Sequence, residues 1–270
     1  MTTVAHTVGD SATMLRRNLR RLRRYPSMTL ILIAFPIVFL LLFVYVFGGQ
    51  LGAGLRGVGA AAGAPARGRA AYLNYLVPGI LLLTVAATVQ GTAITVAMDM
   101  TGGIIDRFRT MAIARASVLT GHVLAALIQT LGSVAIVAGV ALGLGFDPTA
   151  SAIDWLAAAG IIALFALALI WLAVALGLAA KSVETASNTP MFLTLLPFLG
   201  SGFVPTATMP VGLRQFAAYQ PFTPVTDTLR HLLTGTPSAG HAIAAIAWSA
   251  GIALVSYVWA RRLYDRRHAR

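Results

Sequence analysis

Long apolar stretches alternate with short polar ones along most of the chain. Six of them are read as membrane spans, at residues 28–47, 72–97, 118–146, 153–180, 188–204 and 241–260. A helix needs about 20 mainly apolar residues to cross the hydrocarbon core of a bilayer. The first stretch exceeds the ~7 to 15 apolar residues of a signal peptide, so we expect it to be retained. The pattern predicts an all-α membrane protein with one transmembrane domain over residues 1–270.

Prolines and glycines modify two of these spans. Pro190 and Pro197 lie inside the fifth stretch and predict a kink, whose freed carbonyl groups neighbouring helices must satisfy. Gly139 and Gly143 give the third stretch a small-xxx-small pattern, which predicts close packing against another helix.

The segment at residues 10–26 is amphipathic. Leu15, Leu19 and Leu22 fall on one stripe of a helix, and six arginines occupy the opposite arc. We expect an interfacial helix whose leucines enter the acyl boundary and whose arginines contact anionic lipid headgroups. The arginines are Arg16, Arg17, Arg20, Arg21, Arg23 and Arg24.

The number of charged residues and their distribution along the chain are both informative. Only 10% of the residues are charged, against about a quarter in soluble domains. The net charge of +12 would suggest nucleic acid in a soluble protein, but here it lies at membrane boundaries, so lipid is the expected partner. With the N-terminus inside, fifteen of the twenty basic residues are cytoplasmic. The asymmetry predicts cytoplasmic N- and C-termini.

A charged stretch, 101–113, follows the second span. Ile104, Ile105 and Phe108 fall on one side of a helix, and Asp106 and Arg109 fall on the other. The preceding glycine pair breaks the helix of the second span, which lets this segment turn across the cytoplasmic face. The residues alone allow two interpretations: a helix that seals the bundle against the headgroups, or one that contacts a partner.

Polar residues also recur within the second span. They lie three or four positions apart and so form one seam along a helix. The seam indicates either a helix–helix contact, with hydroxyls bonded to backbone carbonyls, or a polar strip along a substrate path. Its members are Thr84, Thr88, Thr92, Thr95 and Asp99.

Two short helices are predicted before the sixth span, within residues 206–235. Thr223 is a candidate N-cap with Pro224 at the first helical position, and Gly235 is a candidate C-terminal stop. Neither helix is long enough to cross a membrane. They form either an outer re-entrant pair that dips into the outer leaflet or a surface hairpin.

Motifs for catalysis are absent. "GAGLRG" at residues 52–57 matches a dinucleotide-binding pattern, but it follows an apolar helix instead of a strand and lies in a Gly/Ala-rich linker. The only lysine, Lys181, follows Ala180 where a phosphate-binding loop requires glycine. The five histidines show no metal-ligand spacing, and cysteine is absent. We therefore predict no enzyme activity, no metal and no cofactor in this chain.

Three stretches resemble a known family. "VPGILL" (77–82), "GIIDRFRTMAIARASVLTG" (103–121) and "GFVPTATMPVGLRQFAAYQPFTPVTDTLRHLLTG" (202–235) are similar to ABC-2 type transporter permeases. The resemblance is strongest to the daunorubicin/doxorubicin-resistance permeases, and it covers nearly the whole chain. It implies a subunit of an ABC exporter in the plasma membrane that carries amphipathic drugs or lipid-like molecules outward.

The resemblance also implies partners. Two permease copies, as a homodimer or with a homologous permease, would pair with two separate ATPase subunits that bind ATP and Mg²⁺. The segment at 101–113 would be the coupling helix that docks on the ATPase. This role falls on Ile104, Ile105, Asp106, Arg107, Phe108 and Arg109.

Two alternatives remain at this point. An ABC-2 exporter of a polysaccharide or glycolipid would have the same architecture. An ion-coupled secondary transporter would more typically show a membrane-embedded carboxylate within an inverted repeat, and Asp99 is the only candidate carboxylate, without an evident repeat.

Overall fold

The computed structural model describes residues 26–49, 68–101, 115–236 and 238–268, with six positions of the N-terminal segment: Thr13, Leu15, Arg16, Asn18, Arg20 and Arg24. These residues form helices, turns and loops, without a strand among them. The α-helices are α1 Pro26–Leu42, α2 Arg69–Thr101, α3 Arg115–Gly143, α4 Ala152–Ala179, α5 Val183–Asn188, α6 Met191–Leu195, α7 Val211–Tyr219, α8 Phe222–Leu233 and α9 Ala239–His268. A π-helical turn, Phe43–Phe47, extends α1.

Five of the described helices are long and apolar enough to cross a membrane. They overlap the predicted first, second, third, fourth and sixth spans, which confirms an all-helical, membrane-embedded chain. Their membrane-length parts are Thr29–Phe47, Arg69–Met100, Thr120–Gly143, Ala152–Ala179 and Ala239–Tyr264. The last helix begins near the predicted start but continues through the basic residues that follow the predicted span.

The predicted fifth span, 188–204, is not one long helix. In its place α5 ends at Asn188, α6 begins after Pro190, and a 3-10 turn, Leu196–Leu199, contains Pro197. Proline lacks an N–H and its ring clashes with the carbonyl of the preceding turn, so each proline ends a helix here. The prediction of a single helix was wrong, although the prolines that predicted a kink are the residues at which it breaks.

The broken segment nevertheless runs along α2 for most of its length. At one end the Gln90 side chain donates to the Ser187 carbonyl oxygen at 3.0 Å. At the other end the Tyr72 hydroxyl donates to the Phe203 carbonyl oxygen at 3.3 Å. Tyr72 and Gln90 are eighteen residues apart on α2, which corresponds to about 27 Å along a helix. This distance is close to the thickness of about 30 Å of a bilayer hydrocarbon core.

A backbone contact between two glycines brings this segment against α2. A Cβ atom built on Gly79 would lie 2.7 Å from the Cα of Gly202, closer than real Cβ atoms approach other atoms. The glycines expected to pack closely behave differently: a Cβ on Gly139 or Gly143 meets no described atom within 4 Å. Close glycine contacts are therefore found against α2, where a Cβ on Gly177 of α4 would also lie 2.7 Å from the Ala93 carbonyl oxygen, and not at Gly139 or Gly143 of α3.

Helix α2 lies at the centre of the bundle. It packs against α1, α3, α4, α5 and α8, and every residue from Leu76 to Val89 is buried. Helix α4 packs against both α2 and α9. Apolar side chains on α1 and α9, among them Ile31 and Val255, are exposed, as expected for helices that face lipid or another chain.

The two predicted outer helices are present as α7 and α8. Helix α8 begins at Phe222, so Thr223 is not its N-cap. The Thr223 hydroxyl instead accepts the backbone N–H of Ser201 at 3.3 Å, because that N–H follows a break in the helix and needs a partner. Gly235 follows the end of α8 in a left-handed conformation, φ +69°, which confirms it as the stop signal.

The structure describes only part of the predicted interfacial helix, 10–26, and of the predicted coupling helix, 101–113. At residues 10–25, the six described positions are helical, and Arg16, Arg20 and Arg24 are exposed. Arg17, Arg21 and Arg23 lie outside the described residues. The predicted coupling helix falls almost wholly outside them as well, since residues 102–114 are not described.

Candidate functional site: polar centres along the central helix

The predicted polar seam is buried on α2. Thr84 and Thr88 are fully or almost fully covered, and Thr92 is buried at 7% exposure. Their hydroxyls donate to carbonyls of the same helix: Thr84 to Ile80 at 2.9 Å and Thr92 to Thr88 at 3.2 Å. This bonding satisfies each hydroxyl without a partner from another helix, as threonine commonly does in apolar surroundings.

One member of the seam connects two helices. The hydroxyls of Thr88 on α2 and Thr130 on α3 lie 2.9 Å apart, and both are buried. Thr95 is half-buried and donates to the Gly91 carbonyl oxygen at 2.8 Å. The seam thus contacts α3 through Thr88 and is more exposed at Thr95.

Asp99, the last residue of the seam, belongs to a buried pair. Its Oδ2 atom lies 3.1 Å from Nε2 of His122 on α3, and the two residues are only 3% and 6% exposed. Asp99 is therefore buried against α3 and does not face solvent. The pair joins the end of α2 to the start of α3, on either side of residues 102–114.

A second polar centre lies at the opposite end of α2, around Arg230. Asp227 accepts from Arg230 at 2.5 Å and from the Ser201 hydroxyl at 2.7 Å. Arg230 also donates to the Ser201 carbonyl oxygen at 2.7 Å, and its guanidinium lies 3.9 Å from the centre of the Tyr75 ring. Both charged side chains are mostly covered, so their attraction is screened less than that of a surface pair.

This centre binds the carbonyl groups that the broken segment leaves free. The Tyr75 hydroxyl donates to the Ser201 carbonyl oxygen at 2.8 Å, and the Gln220 amide donates to that of Leu196 at 2.9 Å. With the Tyr72 bond described above, three carbonyls of this segment find side-chain partners. Side chains of neighbouring elements thus bind carbonyl oxygens of this segment at Leu196, Ser201 and Phe203.

Sequence reasoning did not identify Tyr75, Ser201, Asp227 or His122. One signal was available for Asp227 and Arg230, because opposite charges three positions apart on an otherwise apolar helix indicate a pair. The contacts of Tyr75 with Ser201 and with Arg230 join residues more than a hundred positions apart. The Asp99–His122 and Ser201–Asp227 contacts join residues on different elements. One sequence without an alignment carries no record of such pairings.

The polar centres contain no arrangement for catalysis. No group of three or more His, Cys, Asp or Glu side chains in the described residues is placed to hold a metal ion. The Asp99–His122 pair joins α2 to α3, and the Arg230 centre joins α8 to α2 and to the broken segment. Such contacts hold the helices at fixed positions. Ile104, Ile105, Asp106, Arg107, Phe108 and Arg109 lie outside the described residues.

Comparison with known proteins gives relatives for the whole chain. Over 266 residues it is 26% identical to the daunorubicin resistance ABC transporter permease protein DrrB1 of Streptomyces coeruleorubidus, covering 98% of this chain and 89% of the relative. It is 25% identical over 180 residues to the probable doxorubicin resistance ABC transporter permease protein DrrC of two Mycobacterium tuberculosis strains, covering 66% of this chain and 65% of each relative.

The family comparison covers α1 to α8 and both polar centres. Residues 11–234 match the ABC-2 type transporter family. The matched range includes the Asp99–His122 pair and the Arg230 centre, and it extends from the N-terminal segment to the end of α8. The chain is therefore a member of the ABC-2 type transporter family.

Proposed function

We propose that this chain is the membrane-spanning permease subunit of an ATP-driven exporter for amphipathic drugs or lipid-like molecules in the plasma membrane. The observation that carries the proposal is the similarity of 98% of the chain to a permease named for daunorubicin resistance. Daunorubicin-like compounds combine an apolar ring system with polar groups, and such molecules partition into membranes. Because ATP supplies the energy in this proposal, transport does not require the membrane-embedded carboxylate and inverted repeat that are typical of ion-coupled transporters.

ATP hydrolysis is assigned to a separate subunit. The single lysine of this chain has no phosphate-binding loop around it, so we propose two ATPase copies bound to two permeases. The second permease is another copy of this chain or a homologous one. Residues 101–113 serve as the coupling helix, and the Asp99–His122 pair transmits its movement to α2 and α3.

The seam of Thr84, Thr88, Thr92, Thr95 and Asp99 is proposed as part of the substrate path. Because Thr88 and Thr130 bond across α2 and α3, substrate would reach these hydroxyls only when the two helices separate during transport. The alternative is a permanent helix contact. Both interpretations agree with the buried geometry, and a substitution at Thr88 distinguishes them.

The functional test uses the permease reconstituted in vesicles with its ATPase. Daunorubicin or a related amphipathic compound should stimulate ATP hydrolysis and accumulate in the vesicle lumen on addition of outside ATP. In the same assay, Thr88→Val removes the hydroxyl at nearly constant volume and should change relative rates among substrates by about tenfold or less. Ser249→Ala, a buried hydroxyl on α9 that donates to its own helix, is the matched control.

Two results would contradict these proposals separately. Transport of polysaccharide or glycolipid, with no stimulation by any amphipathic drug, would overturn the substrate class. Unchanged relative rates in Thr88→Val would assign the seam to helix packing alone.

The coupling segment offers a direct test through its single aromatic residue. Phe108→Ala should weaken ATPase binding by about 2 kcal/mol, or roughly thirtyfold, because aromatic anchors dominate protein interfaces. Arg107→Ala and Arg109→Ala should weaken it less, and their effects should shrink in high salt. The measurement is recovery of ATPase with each variant at matched membrane expression. Normal assembly and transport in Phe108→Ala, Asp106→Ala and Arg109→Ala together would reject coupling by this segment.

The proposed orientation places both termini in the cytoplasm. The chain contains no cysteine, so single cysteines report accessibility without background. In intact cells, an impermeant thiol reagent should label cysteines at Ala62 and Ala239 but not one at Ala269. Labelling at position 269 before lysis, with position 62 protected, would reverse the topology and remove residues 101–113 from the ATPase side.

A further inference from the structure

The turn between α8 and α9 brings two histidines together. His231 lies in the last turn of α8 and His241 in the first turn of α9. Their ring centroids are 5.4 Å apart, and the ring planes differ by 25°. His231 is partly exposed and His241 is exposed. Ten positions separate them in sequence, a spacing that matches no common metal motif, so only the fold reveals the pair.

Both rings are held through the same nitrogen. His231 Nδ1 lies 3.3 Å from the Thr236 hydroxyl, and His241 Nδ1 lies 3.1 Å from the Ser238 hydroxyl. When each Nδ1–H donates to its hydroxyl, the lone pair of the neutral ring lies on Nε2. Metal-binding histidines usually have their second nitrogen engaged in this way, which fixes the tautomer and the ring orientation.

The backbone of the turn fixes the two hydroxyls. The Thr236 N–H donates to the His231 carbonyl oxygen at 2.9 Å, and Gly235 adopts the left-handed conformation that this turn requires. On the other side, the Ala242 N–H donates to the Ser238 carbonyl oxygen at 3.3 Å. The ring positions thus follow from two helix ends and their caps, and not from long mobile side chains.

The separation of the rings fits ligation of one ion. A metal–nitrogen bond of about 2.1 Å and a tetrahedral angle place two imidazole centres on one zinc ion about 5.3 Å apart. The observed 5.4 Å separation of the His231 and His241 rings is close to this value. The separation of the two rings is therefore compatible with ligation of one ion by both Nε2 atoms.

We propose that His231 and His241 form a two-imidazole site for a divalent transition-metal ion of the Zn²⁺, Ni²⁺ or Cu²⁺ class. No cluster of three His, Cys, Asp or Glu side chains occurs in the part of the chain that the structure describes, so water completes the coordination. Imidazole suits these three ions, and Cu²⁺ should bind most tightly. The bound ion links the end of α8 to the start of α9. This site is independent of the proposed export function.

The test is metal binding by the full-length protein without a polyhistidine tag, in lipid nanodiscs. Competition with a chromogenic chelator should show one Zn²⁺ per chain, and Cu²⁺ should bind more tightly. His231→Asn and His241→Asn should each weaken Zn²⁺ binding at least about tenfold, and the double variant should lose little more, since either change leaves a single imidazole. His6→Asn is the matched control and should bind normally.

Variants that retain both rings give a second test. Thr236→Val and Ser238→Ala remove the hydroxyl partners and should each weaken binding about two- to tenfold. The unfolding midpoint without metal should match that of the unaltered protein in every variant. The proposal is overturned if the unaltered protein binds no Zn²⁺, if both single histidine variants bind normally, or if His6→Asn loses as much affinity. These results do not depend on transport, so they are separate from the test of export.

Discussion

The burial of α2 on nearly all sides is the constraint on which the rest of the structure depends. Inside this bundle, polar groups of the central helix meet protein and not water, so each needs an internal partner. The threonine hydroxyls therefore bond to carbonyls of α2 itself, and Thr88 also meets Thr130 on α3. The same constraint applies to any element that packs against α2. If its backbone N–H or C=O groups make no helical hydrogen bond, nearby side chains must bind those groups.

The broken segment between α5 and the outer helices meets this requirement. Its prolines end the helices, and Tyr72, Tyr75 and Gln220 donate to three carbonyl oxygens of the segment. The Arg230 side chain adds a charged donor to the same region. The two ends of α2 thus have different roles in the proposed exporter. The end at Asp99 carries the buried pair with His122, and the end at Tyr72 and Tyr75 holds a segment that is not a regular helix.

Apolar runs and prolines are local features, and for that reason the sequence predicted the helical class, five of its six spans as long helices, an irregularity at Pro190 and Pro197, and the stop at Gly235. Contacts between distant residues were not predictable in this way. Gly79 and Gly202, Asp99 and His122, and Arg230 and Tyr75 meet only because of the tertiary fold. The glycine pattern on α3 was misleading, since small residues permit close packing but do not specify a partner. Thr223 resembled an N-cap, but its hydroxyl instead accepts the backbone N–H of Ser201.

The close approach of Gly79 and Gly202 is the most direct test of the claim that the broken segment is seated on α2. Gly79→Ala should destabilise the protein by about 2 kcal/mol, because the new methyl group meets backbone that cannot rotate away. Gly139→Ala, where a Cβ meets no described atom within 4 Å, should be neutral or stabilising by up to about 1 kcal/mol. Both are measured as unfolding free energies in mixed detergent micelles. Equal stability of the two variants would contradict the seating of this segment against the central helix.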